Sequence, residues 1–274
     1  MNSYIYENTY QGTAKSIRQL LKDLRIPRKW QHFLRIEQNV LVDGQYRSFN
    51  QLIQPGEKLT LNFTHLESNQ QTYPPSGKNC QVIYEDEFLL VINKPSHQKT
   101  HPNLFETDTA LNDCATYLGY SPYIVHRLDM LTSGLLLVAK NPVVVPILNS
   151  QLKDKSLRRI YVAQVDHQDP LPDSGTIDLP IGQDPNDQRK RMVTPDGRKA
   201  VTHFEKIDDD HLKLELETGR THQIRVHLAS QGWPIVGDPL YNPNYEPGQE
   251  LALTAIELSF EEPFTLEKKT TKLN

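Results

Sequence analysis

Residues 125–140 read VHRLDMLTSGLLLVAK, and this stretch is the most informative part of the 274-residue chain. Its apolar run, residues 135–139, follows the polar turn Thr132–Ser133–Gly134 and is typical of a buried strand. A single carboxylate, Asp129, stands just before the turn. Because a carboxylate beside a buried strand costs free energy unless a cation pairs with it, this position indicates a chemical role. From the residues alone, the alternative is an ordinary solvated aspartate in a surface turn.

The stretch resembles the signature HRLDxxTSGLLLxAK of the RluA family of pseudouridine synthases and matches it without a departure. Other segments are similar to the remaining motifs of the family and follow in the same order. They are residues 93–102 for NKPxGxxxHP, 159–163 for KxYxA, 216–225 for LxTGRxHQIR and 237–241 for GDxxY. Because the ordered motifs span most of residues 80–260, the resemblance is specific.

The resemblance implies an α+β fold, in which a mostly antiparallel mixed sheet with flanking helices carries a central cleft. The residues favour the same class, because strand patterns alternate with helical ones. Strands are predicted at 81–84, 89–92, 135–139, 161–165 and 212–216, and helices at 109–118, at 144–152 and up to residue 229. Four departures from the family pattern affect turns and scaffold rather than the proposed catalytic residues. They are Arg159 for Lys, Asp166 for Gly, and Thr254 and Glu262 for His.

The resemblance also implies a reaction. A pseudouridine synthase breaks the bond from ribose to the uracil ring nitrogen, turns the base and rejoins the ribose to carbon 5. No redox change or net hydrolysis occurs, so we expect no cofactor and no metal.

Three residues match the catalytic residues of the family. Asp129 matches the catalytic aspartate, and its role stays open between attack on the anomeric carbon and removal of a ribose proton. Arg220 matches the basic residue that is expected to pair with Asp129 and keep its carboxylate ionised. Tyr161 matches the active-site tyrosine, which is expected to stack on the target base. A role for Tyr161 as a base is the weaker alternative, because a phenol is a weak base unless its pKa is tuned.

Four further residues are assigned to substrate binding by the same matches. The target uridine must leave its stack to reach Asp129. Arg127 is expected to fill the gap, because guanidinium planes stack on bases and pair with phosphates. Ile224 is a candidate for the apolar side of the base pocket. His126 and His222 could contact RNA, although structural roles are the alternative for both.

The first 66 residues predict a separate small domain. Apolar residues at 17, 20, 21 and 24 have helical spacing, Pro27 should end that helix near Ile26, and a second helix is expected from about Arg28. Asp43–Gly44 predicts a hairpin, and residues 58–63 alternate as a strand should. This order is similar to the small RNA-binding domain named after the fourth protein of the small ribosomal subunit.

The charge of this domain favours the same interpretation. Residues 1–65 contain nine Lys or Arg and five Asp or Glu, a net charge of +4, which leaves −8 for the rest of a chain with net charge −4. Local basic surfaces matter more than the total, because phosphate contacts are screened over about 10 Å. The residues expected to bind RNA are Arg18, Lys22, Arg25, Arg28 and Lys29, although a merely solvated basic face is the alternative.

Composition limits what else the chain can be. The polar stretch 67–79, ESNQQTYPPSGKN, predicts a linker, so we expect domains at 1–66 and 80–274. No apolar run approaches the ~20 residues of a membrane helix, and the N-terminus lacks a signal pattern. We therefore expect no membrane partner and a cytoplasmic location. Cys80 and Cys114 have no paired spacing, which argues against a metal site or a disulfide framework.

Two rival functions share some of these features. A glycosidase or base-removing glycosylase built on Asp129 would usually need a second carboxylate as general acid, and none lies in the matched motifs. A non-catalytic RNA-binding protein would not require Asp129, Tyr161 and Arg220 together. We therefore predict an isomerase that acts on RNA, with large-subunit ribosomal RNA or transfer RNA as its partner and a monomer as the default state.

Overall fold

The computed structural model describes residues 3–66 and 70–273, and its first domain contains the two helices and the hairpin that the sequence predicts. The elements are β1 (Tyr4–Thr9), β2 (Lys15–Ser16), α1 (Ile17–Asp23), α2 (Arg28–Ile36), β3 (Val40–Val42), β4 (Gln45–Tyr46), β5 (Leu52–Ile53) and β6 (Lys58–Phe63). Four strands form one sheet in the order β1-β6-β3-β4, and β2 pairs with β5. Strand β1, at the edge of the sheet, was not predicted from the sequence.

Local sequence explains where these elements begin and turn. Ser16 caps α1, because its hydroxyl accepts a hydrogen bond from the backbone N–H of Gln19 at 3.2 Å. Pro27 directly precedes the first residue of α2, a place where its missing N–H costs little. Asp43 and Gly44 adopt φ values of 51° and 79°, which the tight turn between β3 and β4 requires.

The second domain is built on a ten-stranded sheet with flanking helices. Each strand and helix predicted there is present, and the ends differ from the predicted ones by at most three residues. The elements are β7 (Gln81–Glu85), β8 (Leu89–Lys94), α3 (Ala110–Leu118), β9 (Tyr123–Ile124), β10 (Ser133–Ala139), α4 (Val145–Asp154), β11 (Arg158–Gln164), β12 (Ser174–Asp178), β13 (Ile181–Gln183), β14 (Arg191–Val193), β15 (Val201–Lys206), β16 (His211–Leu216), α5 (Gln223–Ser230), β17 (Leu253–Glu261) and β18 (Lys268–Lys272).

A short parallel contact joins the two halves of this sheet. The strand order is β12-β15-β16-β11-β17-β10-β8-β7, and β10 with β17 is its parallel pair. The contact spans two residue pairs, and Gly134 at φ 106° faces Ala255. A Cβ on Gly134 would lie 2.2 Å from the carbonyl oxygen of Ala255, so the close approach requires glycine. Asp129 lies in the loop directly before this contact.

The two domains share one hydrophobic core. The ring of Phe264, between β17 and β18, stacks on Tyr6 of the first domain with centroids 4.2 Å apart. Arg25 forms ion pairs with Asp154 at the end of α4 and, at 2.9 Å, with Glu261. Its guanidinium therefore links the domains, which differs from the RNA-binding role expected for Arg25.

The segment expected to be a linker is partly fixed to the second domain. Residues 67–69 lie outside the described residues, and residues 70–79 form no helix or strand. Tyr73 is buried, and its backbone N–H donates a hydrogen bond to the hydroxyl of Ser121 at 2.9 Å. Residues 70–79 therefore pack on the domain rather than connecting the two domains freely.

Two smaller observations concern the helices and the cysteines. Within residues 3–66 and 70–273, each helix is too short or too polar to cross a bilayer. Cys80 and Cys114 are free thiols, and Cys114 is buried.

Candidate active site

A cleft of about 690 Å³ opens along the middle of the ten-stranded sheet. Its walls are the loop 125–132 before β10, strand β11, and residues 216–225 between β16 and the first turns of α5. Asp129, Tyr161 and Arg220 line this single cleft. The structure therefore brings together the three residues that the sequence singles out as catalytic.

The loop that carries Asp129 is held on both sides by hydrogen bonds. The Asp129 carbonyl accepts from the backbone N–H of Thr132 at 3.1 Å, which closes a tight turn. The buried hydroxyl of Thr100 donates to the carbonyl of Leu128 at 2.7 Å and accepts from the Leu128 N–H at 3.1 Å. Because the backbone is fixed on either side of Asp129, its half-buried carboxylate is presented to the cleft in a defined position.

Lys94 also holds the loop that carries Asp129. Its fully buried ammonium donates hydrogen bonds to the carbonyls of Pro95 at 2.7 Å, Gln98 at 2.8 Å and Met130 at 3.3 Å. Burial lowers the pKa of Lys94 to about 8, and the Asp129 carboxylate opposes part of that shift. Lys94 thus ties the NKP segment to the loop and places a cation near Asp129.

Arg220 lines the cleft but does not pair with Asp129 in this structure. Its Nε donates to the carbonyl of Lys199 at 2.9 Å, and its backbone N–H donates to Gln223 Oε1 at 3.0 Å. Among the described residues, no cationic nitrogen lies within 4.0 Å of the Asp129 carboxylate. The expected ion pair is therefore absent here, and Arg220 Nε instead donates to the Lys199 carbonyl.

Tyr161 and Arg159 form the floor of the cleft on β11. Both side chains are buried, and they lie two residues apart on the same strand. Burial raises the pKa of Tyr161, an effect that Arg159 opposes and Asp129 reinforces. A tyrosinate base is therefore not available near neutral pH, which favours the stacking role. From the sequence, Arg159 was identified only as a departure from the family motif. Its position two residues before Tyr161 on a predicted strand could have indicated that both side chains face the cleft.

His126 lines the cleft, but its side chain is buried. Its Nε2 accepts a hydrogen bond from the backbone N–H of Leu137 in β10 at 3.0 Å. Burial, together with the nearby Arg159 guanidinium, lowers the pKa of His126 to about 3. The contact fixes the loop to the strand, which supports the structural alternative for this residue more than direct contact with RNA.

A polar network that the sequence did not reveal supports the wall formed by residues 216–225. Arg225 and Asp238, both buried, form a bidentate ion pair with two contacts of 2.7 Å. The Arg225 guanidinium also lies 5.0 Å from the ring centroid of Tyr241. The Tyr241 hydroxyl hydrogen-bonds to Nδ1 of His222 at 2.9 Å. His222, at φ 57° before α5, is therefore oriented through Tyr241 by the buried ion pair.

Arg127 stands where the main cleft meets a second cavity of about 330 Å³. Both cavities are also lined by Asp129, His222 and Arg225. Arg127 is exposed, and within the described part of the chain its guanidinium has no hydrogen bond or ion pair. Ile224 is buried on the main cleft, on the side expected for the apolar wall.

The charges of the cleft suit an anionic ligand. Two carboxylates line it, those of Asp129 and Glu217, and Glu217 is already paired with Lys155. The cations along its walls outnumber these carboxylates, even without Arg225, which is paired with Asp238; they are Arg127, Lys153, Arg159, Arg220 and Arg225. A positively charged groove around one unpaired carboxylate can attract a polyanion and hold a reactive group within it.

The basic residues of the first domain divide into two groups. Arg18, Lys22, Arg28 and Lys29 are exposed on α1 and α2, whereas Arg25 is engaged with the second domain. Because Arg25 contacts Asp154 and α4 also supplies Lys153 to the cleft, the α1–α2 turn lies beside the helix that borders the cleft.

Family models match both domains. One described as RNA pseudouridylate synthase matches residues 88–230. A second, described as the RluD ribosomal pseudouridine synthase N-terminal domain, matches residues 5–59. The two matches fall on the domain with the cleft and on the small basic domain, respectively.

Individual relatives agree with these matches. The chain is 41% identical over 242 residues to the uncharacterized RNA pseudouridine synthase YlyB of Bacillus subtilis (strain 168), covering 82% of this chain and 78% of that protein. It is 36% identical over 220 residues to ribosomal large subunit pseudouridine synthase D of Escherichia coli O6:H1, covering 75% and 65%. The solved structure of human RNA pseudouridylate synthase domain containing 1 has a TM-score of 0.62 at 23% identity, covering 73% and 85%, a likeness of fold.

Proposed function

Because this chain belongs to the RluA-type family of RNA pseudouridine synthases, we propose that it converts specific uridines of large-subunit ribosomal RNA to pseudouridine. The choice of RNA rests on the first domain, which matches the RluD ribosomal pseudouridine synthase N-terminal domain. It also rests on relatives named as ribosomal large subunit enzymes. We expect the enzyme to act as a monomer in the cytoplasm and to need no cofactor.

The observation that carries the proposal is the half-buried Asp129 carboxylate in a cleft whose other charged walls are mostly cationic. In the proposed reaction the bond between ribose C1′ and N1 of uracil breaks and the base turns. Its carbon 5 then bonds to C1′, the C5 proton is lost and N1 gains a proton. Asp129 either attacks C1′ or removes a ribose proton in the first step. A cleft of about 690 Å³ has room for an extruded nucleoside.

The neighbouring residues have distinct proposed roles. Tyr161 stacks on the target base, which suits a phenol that stays protonated at neutral pH. Arg220 stabilises negative charge on Asp129 or on a phosphate after a shift from its contact with the Lys199 carbonyl. Arg127 occupies the gap left by the extruded base, a role supported by its exposed and unpaired guanidinium. Ile224 supplies the apolar side of the pocket.

The first domain is proposed to hold the RNA beside the cleft. Its exposed cations Arg18, Lys22, Arg28 and Lys29 would contact phosphates, and contacts of this kind weaken as salt rises. We assign Arg25 to domain docking instead, because two carboxylates already neutralise it.

The proposal is tested by mapping pseudouridines in all RNA of cells with and without this gene, with complementation by the wild type. We expect one or a few sites in large-subunit ribosomal RNA to disappear and to return with the wild-type gene. Loss of sites in transfer RNA alone would reassign the substrate. An unchanged map, or release of free uracil from RNA by the purified enzyme, would contradict the proposal. Release of uracil would favour a base-removing glycosylase.

A further inference from the structure

Two large hydrophobic side chains stand in solvent beside the second cavity. Phe105 is 98% exposed and Leu104 is 83% exposed. In the described part of the chain, the next most exposed large hydrophobic side chain is Ile5 at 60%. Hydrophobic side chains that are exposed next to each other mark interaction sites more often than single scattered ones do.

The turn that carries them has a defined structure. The carboxylate of Glu106 accepts a hydrogen bond from the backbone N–H of Asn103 at 2.8 Å and forms an ion pair with Lys99. The Glu106 N–H donates to the Asn103 carbonyl at 3.3 Å. Phe105 is held at φ 69°, a conformation that few bulky residues adopt. Residues 103–106 therefore present both side chains outward from a turn that is closed by its own polar groups.

The residues that lead into this turn line the second cavity, which adjoins the proposed reaction site. Lys99, Thr100 and Asn103 line the second cavity, together with Arg127 and Asp129. Thr100 also brackets the backbone of Leu128, next to the proposed catalytic aspartate. The tip formed by Leu104 and Phe105 is thus coupled through a few hydrogen bonds to the loop that carries Asp129.

We propose that Phe105, with Leu104 beside it, stacks on a nucleobase adjacent to the target uridine. This inference rests on the proposed function, because extrusion of one base leaves its neighbours without a stacking partner. An aromatic ring can replace that partner for any base, and an aliphatic side chain can wedge beside it. Two bases flank the gap, and Arg127, which is proposed to occupy it and lies at the same cavity, can stack on one of them, which leaves the other for Phe105.

RNA fits this tip better than a protein surface does. A stable protein interface buries about 800 Å² on each partner, far more than two side chains supply. The residues around the tip are polar and include Asn103, Glu106, Thr107 and Asp108. An aromatic ring beside a cationic cleft is the arrangement with which proteins bind single-stranded nucleic acid.

The test compares Phe105→Ala and Phe105→Trp with Ile207→Ala, a matched control. Ile207 is 53% exposed between β15 and β16 and lines neither cavity. The probe is unmodified large-subunit ribosomal RNA transcribed in vitro, and affinity is measured in an Asp129→Asn background. We expect Phe105→Ala to raise Kd and KM roughly five- to a hundredfold with kcat within about twofold. Phe105→Trp should restore both values, and Ile207→Ala should leave them unchanged.

Two outcomes would overturn the inference. If Phe105→Ala and Ile207→Ala have the same Kd and KM, the tip does not contact RNA. If the wild type self-associates in sedimentation experiments and Phe105→Ala does not, the tip is a protein contact. The proposed function is tested separately, by measuring pseudouridine formation by the wild type. It can therefore hold while the inference about Phe105 fails. If the wild type forms no pseudouridine, the affinity comparison still decides whether Phe105 contacts RNA.

Discussion

Replacing Arg225 by methionine should destabilise the protein strongly, because it leaves the buried Asp238 carboxylate without its cation. The exposed fractions of the two side chains are 3% for Arg225 and 0% for Asp238. Removing one partner of a buried ion pair typically costs about 3–5 kcal/mol. Asp238 keeps the backbone N–H donors of Leu240 at 2.9 Å and Tyr241 at 3.2 Å, which places the expected loss near 3 kcal/mol.

The assay is urea unfolding at pH 7, with thermal unfolding alongside. A loss of about 3 kcal/mol corresponds to a fall in Tm of roughly 6–12 °C for a chain of this size. The matched control is the double variant Arg225→Met with Asp238→Asn. The asparagine keeps an oxygen for the two backbone donors and leaves no charge unpaired, so most of the stability should return. A loss below 1 kcal/mol in Arg225→Met, or a double variant less stable than the single one, would refute this reasoning.

Two further predictions concern positions where the site meets the sheet. Gly134→Ala should lower the free energy of unfolding by several kcal/mol or prevent folding, because its Cβ would overlap the Ala255 carbonyl. Gly44→Ala, also at a positive φ but with open space, should cost only about 1 kcal/mol, and equal losses in chemical denaturation would count against the packing argument. His126 has a folded pKa of about 3, below its unfolded value, so wild-type stability should fall as pH drops from 6.5 toward 3. His126→Gln should lose roughly 3 kcal/mol less between pH 6.5 and 4, whereas parallel pH profiles would show that His126 is not the titrating group.

Segments with strong local signals could be predicted from the sequence. The hairpin at Asp43–Gly44 is predicted by residues that tolerate positive φ. The buried strand is predicted by the apolar run 135–139, which directly follows a polar turn. The position of β17 could not be predicted, because its place between β10 and β11 depends on pairing over long sequence separations. Nor could the docking of the first domain, since Arg25 finds Asp154 and Glu261 only after both domains have folded.

The candidate site shows the same division. Motif matches placed Asp129, Tyr161 and Arg220 in one cleft, because each motif constrains a short segment and the fold brings the segments together. The partners of individual side chains were not accessible in that way. Arg220 donates a hydrogen bond to the carbonyl of Lys199 and does not pair with Asp129. Residue type alone does not distinguish between these two partners.

The most direct test of the central claim is turnover by the Asp129→Asn variant. Asparagine keeps the size of the side chain but removes the charge on which both proposed roles of Asp129 depend. The measurement is tritium release from carbon-5-labelled uridine in large-subunit ribosomal RNA, with RNA affinity measured in parallel. We expect release to fall to background while Kd stays within severalfold of the wild-type value. Release at a rate comparable to that of the wild type would contradict the claim that this carboxylate carries out the reaction.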